Sequence, residues 1–279
     1  MTTATSVPQL LANFKSKSST GAYKHFKNRA TIAVQIQDRV TNPYMIDQGY
    51  SSLCGPASFL YNVVKKSPLV YAQYIVDMYE TGKAKIGKIE VNAGTDTKNY
   101  NLPTSSGMSA VDWIGLAGLR DSENDVFDYQ AYTNEVAGIT MPGDLLSWHT
   151  KSGFTDGIND TNVVDDEDLF TLLTAHQKKQ AGHSVCLFVG AGVFAGKKDG
   201  RAIADHWVVL NSPILIGGNP VHSLLAKGKT INDDKTILSK KLSFNVYTWG
   251  ENSRPVNRHF PNLTVEYFLD YFYGYVSSK

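Results

Sequence analysis

The chain has 279 residues, of which 42% are hydrophobic and 11% aromatic, and its formal net charge is +1. That length suffices for one large domain or two small ones, and the near-neutral charge argues against a nucleic-acid-binding protein. The two cysteines argue against a disulfide framework or a cysteine zinc site. Because the sequence shows neither a long apolar run nor the apolar core of a secretory signal, we expect no membrane span and synthesis in the cytoplasm.

The N-terminal residues differ in composition from the rest of the chain. The first 37 residues carry five basic side chains and no acidic one, and Ser and Thr are frequent among the first twenty. We interpret residues 1–40 as a flexible basic arm, although a segment that docks a partner or serves in delivery has the same composition. Residues 41–279 are then predicted to form one structural unit with two lobes.

Helical periodicity predominates in the first part of this unit and strand-like runs in the second. Loops are predicted at 43–52 and, as a polar and turn-rich stretch, at 83–106. The predicted helices are Ala57–Lys65, Pro68 to Gly82, Ser109–Leu119, Asp144–His149 and Asp165–Gln177. The predicted strands are Ser184–Val189, Trp207–Leu210, Leu242–Trp249 and Tyr271–Val276. Helices followed by strands predict an α+β fold.

The segment from Gln48 to Ala57, which reads QGYSSLCGPA, places Cys54 where a loop becomes a helix. A helix N-terminus lowers the pKa of a thiol and makes it a better nucleophile. The backbone N–H of Cys54 and the side-chain amide of Gln48 are candidate donors to the oxyanion that such an attack creates. The alternative is a buried structural cysteine, the role that we assign to Cys186 because it lies inside an apolar run.

This Gln-x5-Cys-Gly-Pro-Ala pattern resembles the active-site segment of papain-like cysteine peptidases, in the Cys-Gly-Pro form of bacteriocin-processing peptidases. The resemblance implies a papain-like two-lobe fold, with the nucleophile helix in a helical lobe and the histidine in an antiparallel β lobe. It also implies that Cys54 is the nucleophile and that Gln48 supports the oxyanion.

His206 is the predicted base, because it opens the apolar run HWVVL roughly 150 residues after Cys54, near the papain-type spacing. A rigid strand end is a suitable mount for a catalytic imidazole, and His183, which precedes another apolar run, is the alternative. Papain-like enzymes carry Asn or Asp shortly before Trp-Gly, where this chain has Tyr247. The group that orients the imidazole therefore stays open among Asn245, Tyr247, Thr248 and Asn211.

These residues together predict a cysteine hydrolase, in the first place a thiol protease acting on a protein or peptide, that works through an acyl-enzyme and needs no cofactor or metal. The segment LCGPASF, the long helical insert and the Trp-Gly strand also resemble bacterial toxin effectors delivered into competing cells by specialised secretion systems. That resemblance implies a neutralising immunity protein as a partner. The alternatives are a peptidoglycan amidase, a glutamine deamidase or transglutaminase-like enzyme, and a catalytically inactive papain-like binding module.

Overall fold

A computed structural model describes residues 6–123, 140–197 and 203–279. The fold is mixed α+β with antiparallel sheets, as the order of helical and strand-like segments predicted. The chain divides into two compact units, one of Met1–Thr140 with Lys151–Gly153 and one of Met141–Thr150 with Phe154–Lys279. In the described part of the chain, no helix has the length and apolar character that crossing a bilayer requires.

The first unit is mainly helical. Two of its helices, Cys54–Lys66 and Pro68–Thr81, match predicted ones closely. Pro68 starts the second of them and Gly82, in the left-handed conformation at φ +70°, ends it. A π-helical turn, Trp113–Ala117, lies between the helical segments Ala110–Asp112 and Gly118–Ser122. The helices are α1 (Val7–Ser16), α2 (Arg29–Thr41), α3 (Cys54–Lys66), α4 (Pro68–Thr81), α5 (Thr95–Asn99), α6 (Ala110–Asp112) and α7 (Gly118–Ser122).

The prediction of a flexible arm over residues 1–40 is wrong for the described residues of that segment. Helix α1 begins at the N-cap Ser6 and buries Phe14, whose ring packs edge-on against Tyr79 at 5.2 Å. Arg29, at the start of α2, forms a two-pronged ion pair with Glu80 at 2.6 and 2.8 Å. The composition indicated only charge, whereas the apolar face of α1 and this ion pair bind the segment to α4.

A short hairpin lies within the stretch that was predicted to be polar and turn-rich. Its strands, β1 (Lys83–Ile86) and β2 (Ile89–Asn92), pair antiparallel, with Ile86 opposite Ile89. Along both strands buried and exposed residues alternate, so each strand has only two inward-facing side chains. Two apolar residues per strand are too weak a periodic signal to distinguish a strand from a loop in the sequence.

The second unit is built on a six-stranded antiparallel sheet in the order β10-β9-β5-β4-β11-β3, with a smaller sheet in the order β7-β6-β8. The strands are β3 (Ile158–Thr161), β4 (Ser184–Val189), β5 (His206–Leu210), β6 (Leu215–Ile216), β7 (Asn219–Pro220), β8 (Leu242–Ser243), β9 (Asn245–Thr248), β10 (Glu251–Pro255) and β11 (Phe272–Ser278). Its helices are α8 (Pro142–Lys151, all but its last residue), α9 (Leu169–Gln180), α10 (Gly192–Ala195), α11 (Lys235–Leu238) and α12 (Val265–Leu269).

The core of the second unit lies where α9 packs on the large sheet. Leu169, Leu172 and Leu173 of this helix belong to one buried cluster with inward-facing residues of β4 and β5. The helix begins at Leu169, later than predicted, because Asp168 caps it by accepting a hydrogen bond from the backbone N–H of Thr171. In this sheet β5 and β9 are neighbouring interior strands. The first residue of β5 and the last residue of β9 form the histidine site described below.

The predicted strand Leu242–Trp249 is divided in two. Residues before Phe244 pair with β6 in the small sheet, and residues after it pair with β5 in the large one. Periodicity along the sequence does not reveal that a strand changes partner, since both halves keep an apolar inner face.

Candidate active site

Cys54 is the first residue of α3, and its side chain is buried. The α3 residues from Cys54 to Val64 are all buried, so this helix is the central element of the first unit. Gly55 follows the cysteine for a steric reason, because a Cβ atom there would collide with the side chain of Thr140. The thiol therefore belongs to the residue at the N-terminal end of the helix, where the helix dipole stabilises negative charge.

The loop before Cys54 is closed by hydrogen bonds between Gln48 and Ser51. The Gln48 side-chain amide donates to the carbonyl oxygen of Ser51 at 2.6 Å, and the Ser51 hydroxyl donates to the carbonyl oxygen of Gln48 at 2.7 Å. Gly49 sits in the left-handed region at φ +55°, and the N–H of Tyr50 donates to Ser106 at 3.0 Å. These contacts hold the Gln48 side chain in a buried and defined position at the head of α3.

Gln48 keeps the hydrogen-bonding capacity that an oxyanion donor needs. A side-chain amide has two N–H donors, and the bond to Ser51 uses one of them. The second is the donor that the predicted oxyanion role requires. Gln48 and Cys54 both belong to the first unit and are both buried.

His206 is the first residue of β5 in the second unit, and 3% of its surface is exposed. Its Nε2 and the hydroxyl of Thr248, at the end of β9, are hydrogen-bonded at 2.7 Å. The antiparallel pairing of Val209 with Tyr247 fixes the relative position of the two strands. The imidazole is therefore oriented through Nε2 by a neighbouring side chain.

The group that orients His206 is Thr248, one of the four residues between which the sequence left the choice open. Side chains alternate along a strand, so Asn245 and Tyr247 lie on the face of β9 opposite to Thr248. The side-chain amide of Asn211 donates to the backbone of Asn252 at 2.5 Å. The partner of His206 is therefore a hydroxyl directly before Trp249, whereas the position that matched the Asn or Asp of the papain-like pattern holds Tyr247.

Trp249 covers the imidazole. The two rings are stacked at 4.5 Å between centroids with an interplanar angle of 19°. Trp249 adopts φ +46°, a region that costs a non-glycine residue conformational energy, and this turn of the backbone directs the indole over His206. An apolar ring on the imidazole shields the ring from water.

The environment of His206 strongly favours its neutral form. Burial, with a smaller contribution from the positive charge of Arg254, lowers the pKa of His206 from 6.5 to about 3. The guanidinium of Arg254 lies over the Trp249 ring at 4.9 Å from its centroid. Sequence reasoning missed Arg254, because an Arg in a polar stretch after Trp-Gly carries no local signal of its position.

His149, His183 and the second cysteine are also buried. Nδ1 of His149 bonds to the carbonyl oxygen of Leu145 at 2.8 Å, and its ring packs on Phe154. His183, the alternative base, is buried, and burial lowers its pKa. Cys186 lies in β4 among buried apolar residues, which confirms its assignment to the core.

Within residues 6–123, 140–197 and 203–279, no group of three His, Cys, Asp or Glu side chains is arranged to hold a metal ion. Comparisons of the chain with protein-family models, curated proteins and solved structures gave no match.

Proposed function

We propose that this protein is a cysteine hydrolase of papain-like type, in which Cys54 is the nucleophile and His206 its base. The observation that carries the proposal is the mounting of His206, with Nε2 bound to Thr248, the ring covered by Trp249 and the imidazole held neutral. Two further features support the papain-like assignment: the central helix of the first unit begins with a cysteine, and the antiparallel sheet of the second unit holds an oriented histidine.

In the proposed reaction the Cys54 sulfur attacks an amide carbonyl carbon while its proton moves to Nδ1 of His206. The carbonyl oxygen becomes an oxyanion, which accepts hydrogen bonds from the second amide N–H of Gln48 and from the backbone at Cys54. The C–N bond then breaks, and the proton passes from His206 to the leaving amine. His206 next takes a proton from water, and the resulting hydroxide attacks the thioester carbonyl. The C–S bond then breaks, His206 returns the proton to the sulfur, and the carboxylic acid and the free thiol are released.

The neutral state of His206 bears on how the proton moves. An imidazole with a pKa of about 3 is neutral at neutral pH but is a weak base, so protonation of it is unfavourable unless another charge develops at the same time. We therefore propose that the proton transfer accompanies attack on the substrate, when negative charge develops on the oxyanion, in place of a resting thiolate–imidazolium pair.

Thiol labelling tests the assignment of nucleophile and base. Both thiols are buried, but Cys54 lies at a helix N-terminus and Cys186 inside strand β4. Iodoacetamide should therefore modify Cys54 well before Cys186, which serves as an internal control. In the His206→Asn variant, Cys54 should be labelled more slowly than in the wild-type protein, and the labelling rate of Cys186 should not change. Equal and slow labelling of both cysteines in the wild-type protein would instead support an inactive binding module.

The substrate class that we propose is a protein or peptide amide, in the setting of an antagonistic bacterial effector with a neutralising immunity protein. Only the resemblance of the sequence supports that setting. Producing the protein in the cytoplasm of a bacterial host should inhibit growth, and Cys54→Ala should relieve the inhibition. Growth inhibition only after export to the periplasm, with release of peptidoglycan fragments, would favour the amidase.

A further inference from the structure

A cation and two rings are arranged beside the histidine of the second unit. The imidazole of His206 stacks on Trp249 at 4.5 Å, and the guanidinium of Arg254 lies over the same indole at 4.9 Å. The guanidinium is therefore roughly 10 Å or less from the imidazole, and a tryptophan ring is in contact with both.

Several contacts hold Arg254 in this position. One of its terminal nitrogens donates to the carbonyl oxygen of Phe194 at 2.8 Å and approaches Nε2 of His259 at 3.3 Å. The other terminal nitrogen pairs with the Glu251 carboxylate, which also binds Arg258. Nε of Arg254 is buried with no hydrogen-bond partner in the described residues, so stacking on Trp249 helps to place this part of the guanidinium.

We propose that Arg254 is a positioning residue for His206: it supports Trp249 against the imidazole and, as a fixed cation beside that ring, opposes a second positive charge on the histidine. This inference rests on the proposed function, since it gives Arg254 the task of keeping the proposed base in its neutral form. Arg254 acts through Trp249 and through its field and has no assigned contact with the substrate.

Among the described residues, Arg254 is the charged group that acts on His206. Burial is the larger cause of the low pKa of His206, and Arg254 is the charged group that adds to it. Asp205, the preceding residue, directs its carboxylate to the backbone N–H of Ala191 at 2.7 Å, and burial raises its pKa. On β9 the neighbour is the uncharged Thr248. In the part of the chain that the structure describes, Glu251 and His259 contact the guanidinium, and Arg258 binds the same Glu251 carboxylate.

The size of the effect follows from Coulomb's law. Two unit charges about 10 Å apart, at an effective dielectric constant of about 20, change a pKa by roughly one unit. Removing the charge of Arg254 should therefore raise the pKa of His206 by about one unit. The acid limb of the pH profile of kcat/KM should move by the same amount toward neutral pH.

The test compares Arg254→Met with Arg258→Met, which removes a cation from the same Glu251 cluster without touching Trp249. NMR titration of labelled histidines, as well as the pH profile, should show the roughly one-unit rise in Arg254→Met and a smaller change in Arg258→Met. In Arg254→Lys, which keeps a cation, the pKa of His206 should remain close to the wild-type value. This variant replaces Arg254→Met in the comparison if the Met variant does not fold.

An unchanged His206 pKa in Arg254→Met, or an equal rise in Arg258→Met or Arg254→Lys, would overturn the inference. Because the titration needs no substrate, this result is separate from failure of the proposed hydrolase activity. A protein without detectable hydrolysis but with the expected shift would contradict the proposed function and leave the role of Arg254 on His206 intact.

Discussion

Acid should destabilise the second unit through His206. In the unfolded chain a histidine has a pKa of about 6.5, whereas burial and Arg254 lower the pKa of His206 to about 3 in the folded protein. Between these values the unfolded chain binds a proton that the folded protein does not bind. The stability that neutral His206 provides is therefore complete above pH 6.5 and is lost as the pH falls toward 3.

The magnitude follows from the two pKa values. Between pH 7 and pH 4 the difference in proton binding lowers the free energy of unfolding by about 3 kcal/mol, with a slope that approaches 1.4 kcal/mol per pH unit. The variant His206→Gln removes the titrating group and should lack this part of the pH dependence. Its absolute stability is not the readout, because the loss of the Thr248 hydrogen bond changes it at every pH.

Urea denaturation at pH 7, 6, 5 and 4, followed by tryptophan fluorescence, measures this difference. Three of the four tryptophans, Trp148, Trp207 and Trp249, belong to the second unit, so the signal reports mainly its unfolding. His176 and His183 also have pKa values lowered by burial, but they are present in both proteins and their contributions cancel. Parallel pH dependences for wild type and His206→Gln would refute the assignment of His206 as a buried neutral imidazole.

Three further changes test the two units separately. Gln48→Ala should lower kcat by about 10²–10³-fold with little change in KM, and a raised KM alone would make Gln48 a substrate-binding residue. Thr248→Val leaves Nε2 of His206 without its partner, so it should cost about 1–3 kcal/mol in urea denaturation and reduce turnover; full activity would show that Thr248 does not orient the base. Phe14→Ala should destabilise the first unit by about 3–5 kcal/mol, whereas wild-type stability would restore the interpretation of a flexible arm.

The sequence alone was informative wherever local chemistry determines local structure. Pro68 and Gly82 bound α4 because one fixes φ and the other tolerates the left-handed conformation. The strands at Ser184–Val189 and His206–Leu210 were readable because both are short, continuous apolar runs. The same reasoning singled out Cys54, which lies at a loop-to-helix junction marked by Gly and Pro.

Tertiary structure decided the features that depend on contacts distant in the sequence. Composition made residues 1–40 resemble a solvated arm, but the partners that order them, Tyr79 and Glu80, lie on α4. The choice of Thr248 depends on the alignment of β9 with β5, and a shift of one residue would have presented Tyr247 to His206 instead. The charge of Arg254 acts on His206 only because the chain turns at Trp249 and returns along β10. The pairing register of the strands and the reversal of the chain at Trp249 depend on the packing of the whole unit, so a local sequence pattern does not predict them.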